Sequence, residues 1–85
     1  MAKVEIYMRE SCPFCVRAMR LLGMKKVSPT VIDIEEEPGK RAEMVQRSGG
    51  GVTVPQIFID GKLVGGCDDL MNLEYDGKLD GMLKA

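Results

Sequence analysis

Residues 9–15 read Arg-Glu-Ser-Cys-Pro-Phe-Cys. Two thiols two residues apart, Cys12 and Cys15, can do three kinds of chemistry. They can exchange electrons with other sulfurs, supply half of a zinc site, or close as a static clip. A structural zinc site normally takes four Cys or His ligands. The chain has no His and three Cys in all, which argues against an intrachain structural zinc site and leaves open a metal bridging two chains through Cys12. A clip across so short a loop adds little stability, and a reducing compartment would open it. The spacing therefore fits redox exchange best. The third thiol, Cys67, has neither a second cysteine nor a basic residue beside it in sequence, and reads as a small, half-buried side chain.

The elements around the pair say which thiol works. Val4, Ile6 and Met8 alternate onto one face of a strand over 4–8. Pro13 suits the first position of a helix, where its missing N–H would have no partner anyway. Behind it Cys15, Ala18, Met19 and Leu22 share a face, Arg17 and Arg20 can point to water, and Gly23 is a candidate stop. Cys12 then falls at the helix N-cap or first turn. Free N–H groups and the helix dipole favour an anion there, and Arg9 and Arg17 add positive charge. Cys12 is expected to be the attacking thiolate. Cys15, one turn later and more buried, is expected to be the resolving thiol.

The remaining chain shows no linker and no repeat. A β-branched strand is expected over Thr30–Ile34. Pro38 is expected to open a helix that turns Ala42 and Val45 inward and closes at Gly49-Gly50-Gly51. Gln56–Ile59 reads as a strand buried on both faces, and Asp60-Gly61 as a hairpin turn into Lys62-Leu63-Val64. Asp68 and Asp69 sit where acids favour a helix start, ahead of Leu70, Met71 and Leu73. The order β-α-β-α-β-β-α, with a parallel crossover first and a hairpin last, predicts an α/β protein. Its expected form is a four-stranded mixed sheet flanked by helices, the thioredoxin-like fold. The cysteines fall at the carboxyl end of the first strand, where such sheets place their chemistry.

Eighty-five residues suit a single domain spanning 1–85. The net charge of −1 leaves no basic footprint for nucleic acid. No apolar run reaches the roughly 20 residues of a membrane helix. Met1-Ala2-Lys3 leads straight into the first strand without the character of a signal peptide. Three cysteines are too few, and odd in number, for a secreted disulfide scaffold, so a cytoplasmic location is expected.

Three segments resemble the glutaredoxins of the small bacterial dithiol type: VEIYMRESCPFC, KRAEMVQRSGG and TVPQIFIDGKLVGGCDDL, in family order and spacing. One departure is Phe14, where the family usually has tyrosine between the cysteines. The resemblance implies a glutathione-dependent thiol–disulfide oxidoreductase with catalytic Cys12 and Cys15, no metal and no tightly bound cofactor. Glutathione would be the co-substrate. Its cysteinyl part would pair with the backbone of Val54, in a Thr53-Val54-Pro55 segment whose proline is cis. Its γ-glutamyl end would meet Gly66, Cys67, Asp68 and Asp69, and its glycine carboxylate Arg9, with help from Gln56. Phe14 would pack beside it. Implied partners are glutathione and disulfide-bearing or glutathionylated proteins, and the chain is expected to be a monomer. The individual residues also carry plainer readings: Asp68 and Asp69 as helix-dipole partners, Gly65 and Gly66 as turn residues, Arg9 as a surface charge. Two other functions fit the same motif. One is a redoxin reduced by thioredoxin reductase, against which the GGCDD segment argues. The other is a dimer holding an iron–sulfur cluster through Cys12 and glutathione, against which Pro13 and Cys15 argue.

Overall fold

Alternation over Val4–Met8 produces the first strand, β1, which lies at the centre of the molecule with Ile6 and Tyr7 fully buried on its opposite faces. The structure is a computed structural model and describes residues 2–84; Met1 and Ala85 lie outside the described residues. After β1 come α1 (Pro13–Met24), β2 (Thr30–Asp33), α2 (Lys40–Arg47), β3 (Gln56–Ile59), β4 (Lys62–Gly65), α3 (Cys67–Tyr75) and α4 (Leu79–Lys84). The four strands form one sheet in the order β2-β1-β3-β4. β1 and β2 run parallel with Ile6 opposite Val31, and β1–β3 and β3–β4 are antiparallel. This is the mixed, helix-flanked, thioredoxin-like sheet expected from the element order.

Both faces are covered. Ile6, Ile57 and Ile59 pack with Ala18 and Leu22 of α1, Leu70 of α3, and Leu79 and Leu83 of α4. On the other face Tyr7 and Phe58 pack with Met44 of α2. Every residue of β3 is therefore buried, the polar Gln56 as well as the apolar run Ile57–Ile59. Arg47 ties α2 to the sheet: it donates to the Tyr7 hydroxyl at 2.8 Å and to both carboxylate oxygens of Glu5 at 3.2 and 3.1 Å. Its guanidinium lies 4.1 Å from the Phe58 ring centroid. Asp60 and Gly61, with φ of 52° and 79°, make the turn between β3 and β4.

Four details differ from expectation. α1 runs through Gly23 to Met24, and the chain turns afterwards at Lys26, φ 61°. α2 begins at Lys40 rather than Pro38. Asp33 Oδ1 accepts from the N–H groups of Glu35 and Glu36 in one turn, Pro38 lies in the next, closed by the Lys40 N–H donating to the Glu37 carbonyl at 3.2 Å, and Gly39 enters the helix at φ 84°. Met44 is the buried residue of this helix and Val45 packs half-buried on the same core as expected, whereas Ala42 is exposed. β2 ends one residue early, although the Ile34 N–H still donates to the Met8 carbonyl at 3.0 Å. α4 was not expected at all. Among the described residues no helix is long and apolar enough to cross a membrane.

Candidate active site

β1 ends at Met8, and a turn closed by the Cys12 N–H donating to the Arg9 carbonyl at 3.3 Å delivers Cys12 to the start of α1. Cys12 is the N-cap, in extended backbone, with Pro13 in the first helical positions. Its sulfur does what a capping oxygen would do, accepting from the Cys15 N–H at 3.3 Å. The thiol itself donates to the Val54 carbonyl at 3.7 Å. All three cysteines are free and buried.

The two sulfurs of the pair are pushed in opposite directions. Burial alone would raise Cys12, but hydrogen bonds from the Cys15 thiol and from the backbone N–H groups of Cys15 and Phe14, with the Arg9 charge, outweigh it, and its pKa is lowered. Cys15 is pushed up to about 12, first by burial and then by the thiol proton it gives to Cys12. Cys67, the first residue of α3, is raised by burial and by Asp68. Arg17, expected beside Cys12, instead lies 5.7 Å over the Phe14 ring, and its charge bears on Cys67.

Opposite Cys12 runs the segment 51–56. The Val54–Pro55 peptide is cis. Gln56 is buried and its side-chain N–H donates to the Thr53 carbonyl at 3.1 Å, so one of its donors is already used in shaping this loop. Ser48 holds the other end, its hydroxyl accepting from the Gly51 N–H at 2.8 Å. At the start of α3, Asp69 accepts from the Gly66 N–H at 3.0 Å, closing the cap of the helix. Gly65 stands at φ 116°, and a side chain there would meet the Asp69 carboxylate. Asp68 is exposed at the same helix start.

Two clefts flank the thiols and share Phe14, Thr53 and Val54 as a common wall. The larger, about 580 Å³, is lined by that wall with Pro55, Gln56, Gly66, Cys67, Asp68 and Asp69, together with Leu63 and Gly65. The smaller, about 470 Å³, holds Cys12 and Arg9 with Pro13, Ile34, Arg41 and Val52. Cys15 lies behind Cys12, away from both. Sequence reasoning did not place Leu63, Ile34, Arg41 or Val52 in the site. Leu63 was within reach, two residues before the paired glycines on the strand that leads to them. Arg41 and Ile34 carry no local signal, because tertiary folding alone brings them to the cleft. Among the described residues no three His, Cys, Asp or Glu side chains converge where a metal ion could sit.

The family model described as Glutaredoxin matches residues 4–64, which include the cysteine pair, the cis proline and three of the four strands in full. The chain belongs to the glutaredoxin family. It is 54% identical over 84 residues to Glutaredoxin 3 of Escherichia coli strain K12, covering 99% of this chain and 100% of the relative. The solution structure of glutaredoxin from Brucella melitensis superposes with a TM-score of 0.84 at 52% identity, covering 99% of this chain and 90% of that one. A buckwheat glutaredoxin–glutathione complex superposes with a TM-score of 0.89 at 32% identity, over 98% of this chain and 77% of that one. A glutaredoxin with this pair of thiols is a thiol–disulfide oxidoreductase, and Cys12 and Cys15 lie side by side for that chemistry.

Proposed function

We propose that the protein is a single-domain, cytoplasmic glutaredoxin that uses glutathione to reduce glutathione mixed disulfides and protein disulfides. The observation that carries this reading is the pairing of one thiol held below its ordinary range with a neighbour held at about 12. Such a pair has one nucleophile and one reserve.

The Cys12 thiolate attacks the glutathione sulfur of a mixed disulfide. The old S–S bond breaks, the protein sulfur leaves with the electron pair and takes a proton, and glutathione remains on Cys12. A second glutathione thiolate then attacks the glutathione sulfur on Cys12, releasing glutathione disulfide and restoring the Cys12 thiolate. With a protein disulfide, Cys12 forms a mixed disulfide with one substrate sulfur. Cys15, deprotonated as it attacks, displaces the substrate as a dithiol and leaves a Cys12–Cys15 disulfide for two glutathiones to reduce. No metal or resident cofactor takes part.

Glutathione lies across the shared wall. Its cysteinyl backbone pairs with Val54, beside Thr53, Pro55 and Phe14. Its γ-glutamyl carboxylate faces the N–H groups at Gly66–Asp68 and its ammonium the Asp68 and Asp69 carboxylates. Its glycine carboxylate meets Arg9, and Gln56 holds the loop beneath. The opposite charges of the two clefts support this orientation, and the ligand named for the buckwheat structure supports glutathione as the occupant.

The test is a glutathione-coupled assay on a small glutathione mixed disulfide. Cys12→Ser should be inactive, whereas Cys15→Ser should keep much of its activity because this route needs one thiol. Cys15→Ser should lose the reduction of intramolecular protein disulfides. A folded Cys15→Ser protein with no activity toward the mixed disulfide would refute the assignment.

A further inference from the structure

The loop that carries Val54 is fastened from behind, at a place the exchange chemistry does not touch. Ser48 follows the last residue of α2 and is half-buried. Its Oγ accepts from the Gly51 N–H at 2.8 Å, and its single proton has two carbonyls in reach, Gly51 at 3.2 Å and Val45 at 3.3 Å. One hydroxyl thus bridges the last turn of α2 and the backbone of Gly51. Gly51 is small because of what stands beside it. Its φ lies outside the left-handed region, unlike those of Gly49 and Gly50 at 70° and 110°, so its backbone alone would accept a side chain. A Cβ there would nevertheless lie 2.6 Å from Ser48 Oγ and 2.7 Å from Gln56 Nε2. That same amide donates to the Thr53 carbonyl at 3.1 Å. Ser48, Gly51, Gln56 and Thr53 therefore form one chain of contacts from α2 to the residue before Val54.

What the chain presents is the Val54 carbonyl, 3.7 Å from the Cys12 sulfur and accepting its proton. A hydrogen bond given by the thiol stabilises the protonated form, and once the sulfur ionises the same carbonyl dipole opposes the anion. The loop also helps to keep water from a sulfur that is nearly buried. Both effects work against the thiolate, opposite in sense to the N–H donors and the Arg9 charge. The other titratable or charged groups that bear on Cys12 are Cys15 of α1, Cys67 of α3 and Arg41 at the rim of its cleft; residues 51–56 bring no charge. The balance matters because nucleophilicity falls as a thiol becomes more acidic, and exchange is fastest when the attacking thiol titrates near ambient pH.

We propose that Ser48 is a positioning residue of the exchange reaction. Through Gly51 and Gln56 it holds the Val54 carbonyl against the Cys12 sulfur, and keeps the Val54 backbone in line for the disulfide substrate. The second of these duties rests on the glutathione placement given above; the first does not.

The experiment reads Cys12 by its rate of alkylation with iodoacetamide against pH, the alkylated residue being identified by mass. The midpoint reports ionisation of the sulfur, and no glutathione takes part. Alongside it, kcat/KM is measured for a small glutathione mixed disulfide with glutathione as reductant. Ser48→Ala removes the tie, Gly51→Ala drives a methyl group between Ser48 and Gln56, and Ser48→Thr keeps the hydroxyl. In Ser48→Ala and Gly51→Ala the midpoint should move down, because the carbonyl retreats and water enters. Their kcat/KM should fall roughly two- to tenfold, the scale of one backbone hydrogen bond. Ser48→Thr should match the parent in both. A helix cap with no further duty would lower the melting temperature alone. An alkylation midpoint in Ser48→Ala that stays at the parent value or rises overturns the proposal, whatever the melting temperature, and so does an unchanged kcat/KM. Failure of the glutathione reading looks different: the parent then turns over no mixed disulfide, while the alkylation midpoints still separate the variants.

Discussion

Cys12 is only 4% exposed, so its reactivity is a contest between burial and hydrogen bonding that the hydrogen bonds win. Sulfur acceptors gain most from N–H donors when the sulfur is ionised, so the Cys15 N–H favours the thiolate. The same contact has the reverse effect on Cys15, whose thiol proton is held by its neighbour while burial penalises its charge. A pH titration of the ultraviolet absorbance of thiolates should therefore find one group below the ordinary cysteine value of 9.0, lost in Cys12→Ser, and no second ionisation of the pair until pH about 12. A lowest-titrating group that survives in Cys12→Ser would mean that Cys15 or Cys67 is the activated sulfur.

Helix α3 carries two duties at its first turn. Asp69 caps it through the Gly66 N–H, and Asp68 and Asp69 complement its dipole, yet both acids also line the larger cleft. Substituting both by Asn separates the duties, because an Asn oxygen can still accept from Gly66. Loss of dipole compensation should cost about 0.3–1 kcal/mol per charge. A lost charged hydrogen bond to the glutathione ammonium, about 1.5–3 kcal/mol, should raise the KM for glutathione roughly ten- to a hundredfold. An unchanged KM with a clear fall in melting temperature would leave the acids as a helix cap. The strands, the hairpin turn and α1 were legible in sequence because alternation, Asp60-Gly61 and Pro13 are local signals. α4 was not: six residues with Gly81 inside have little helical tendency, and what holds them is burial of Leu79 and Leu83 against distant parts of the core. The start of α2 lies two residues beyond the Pro38 signal for a related reason: Pro38 is taken up in a turn closed by the Lys40 N–H on the Glu37 carbonyl, and Gly39 at φ 84° marks the boundary. In the site, the thiols were readable from spacing, while the charge segregation of the clefts depends on Arg41, which only the packed α2 brings there.

The whole molecule is held by a sheet covered on both faces, and its stability is linked to the state of its thiols. In the unfolded chain Cys15 should ionise near its ordinary 9.0, whereas in the fold it keeps its proton to about 12. Between those values the native state binds more protons than the unfolded one, so stability is full below about 9 and falls as pH rises toward 12. Cys67, also raised, acts in the same direction. Cys12, lowered, acts oppositely: its contribution is present above 9.0 and is lost as pH falls through its folded value. Urea midpoints measured at neutral pH and at pH about 10.5 should drop more in the reduced parent than in Cys15→Ser, which has no thiol to ionise there. Equal drops would show that burial of Cys15 is not what links the fold to alkaline pH.

The backbone N–H of Ala2 donates to the Leu83 carbonyl at 3.1 Å, so the two ends of the described chain meet. They meet at the start of β1, while Cys12 follows its far end; five residues of strand put roughly 17 Å between them. A host protein could therefore carry this unit as an insert in one of its own surface loops, entering and leaving at adjacent points. The electron-exchanging end would project away from the host, as a plug-in reductase whose attachment and whose chemistry occupy opposite poles.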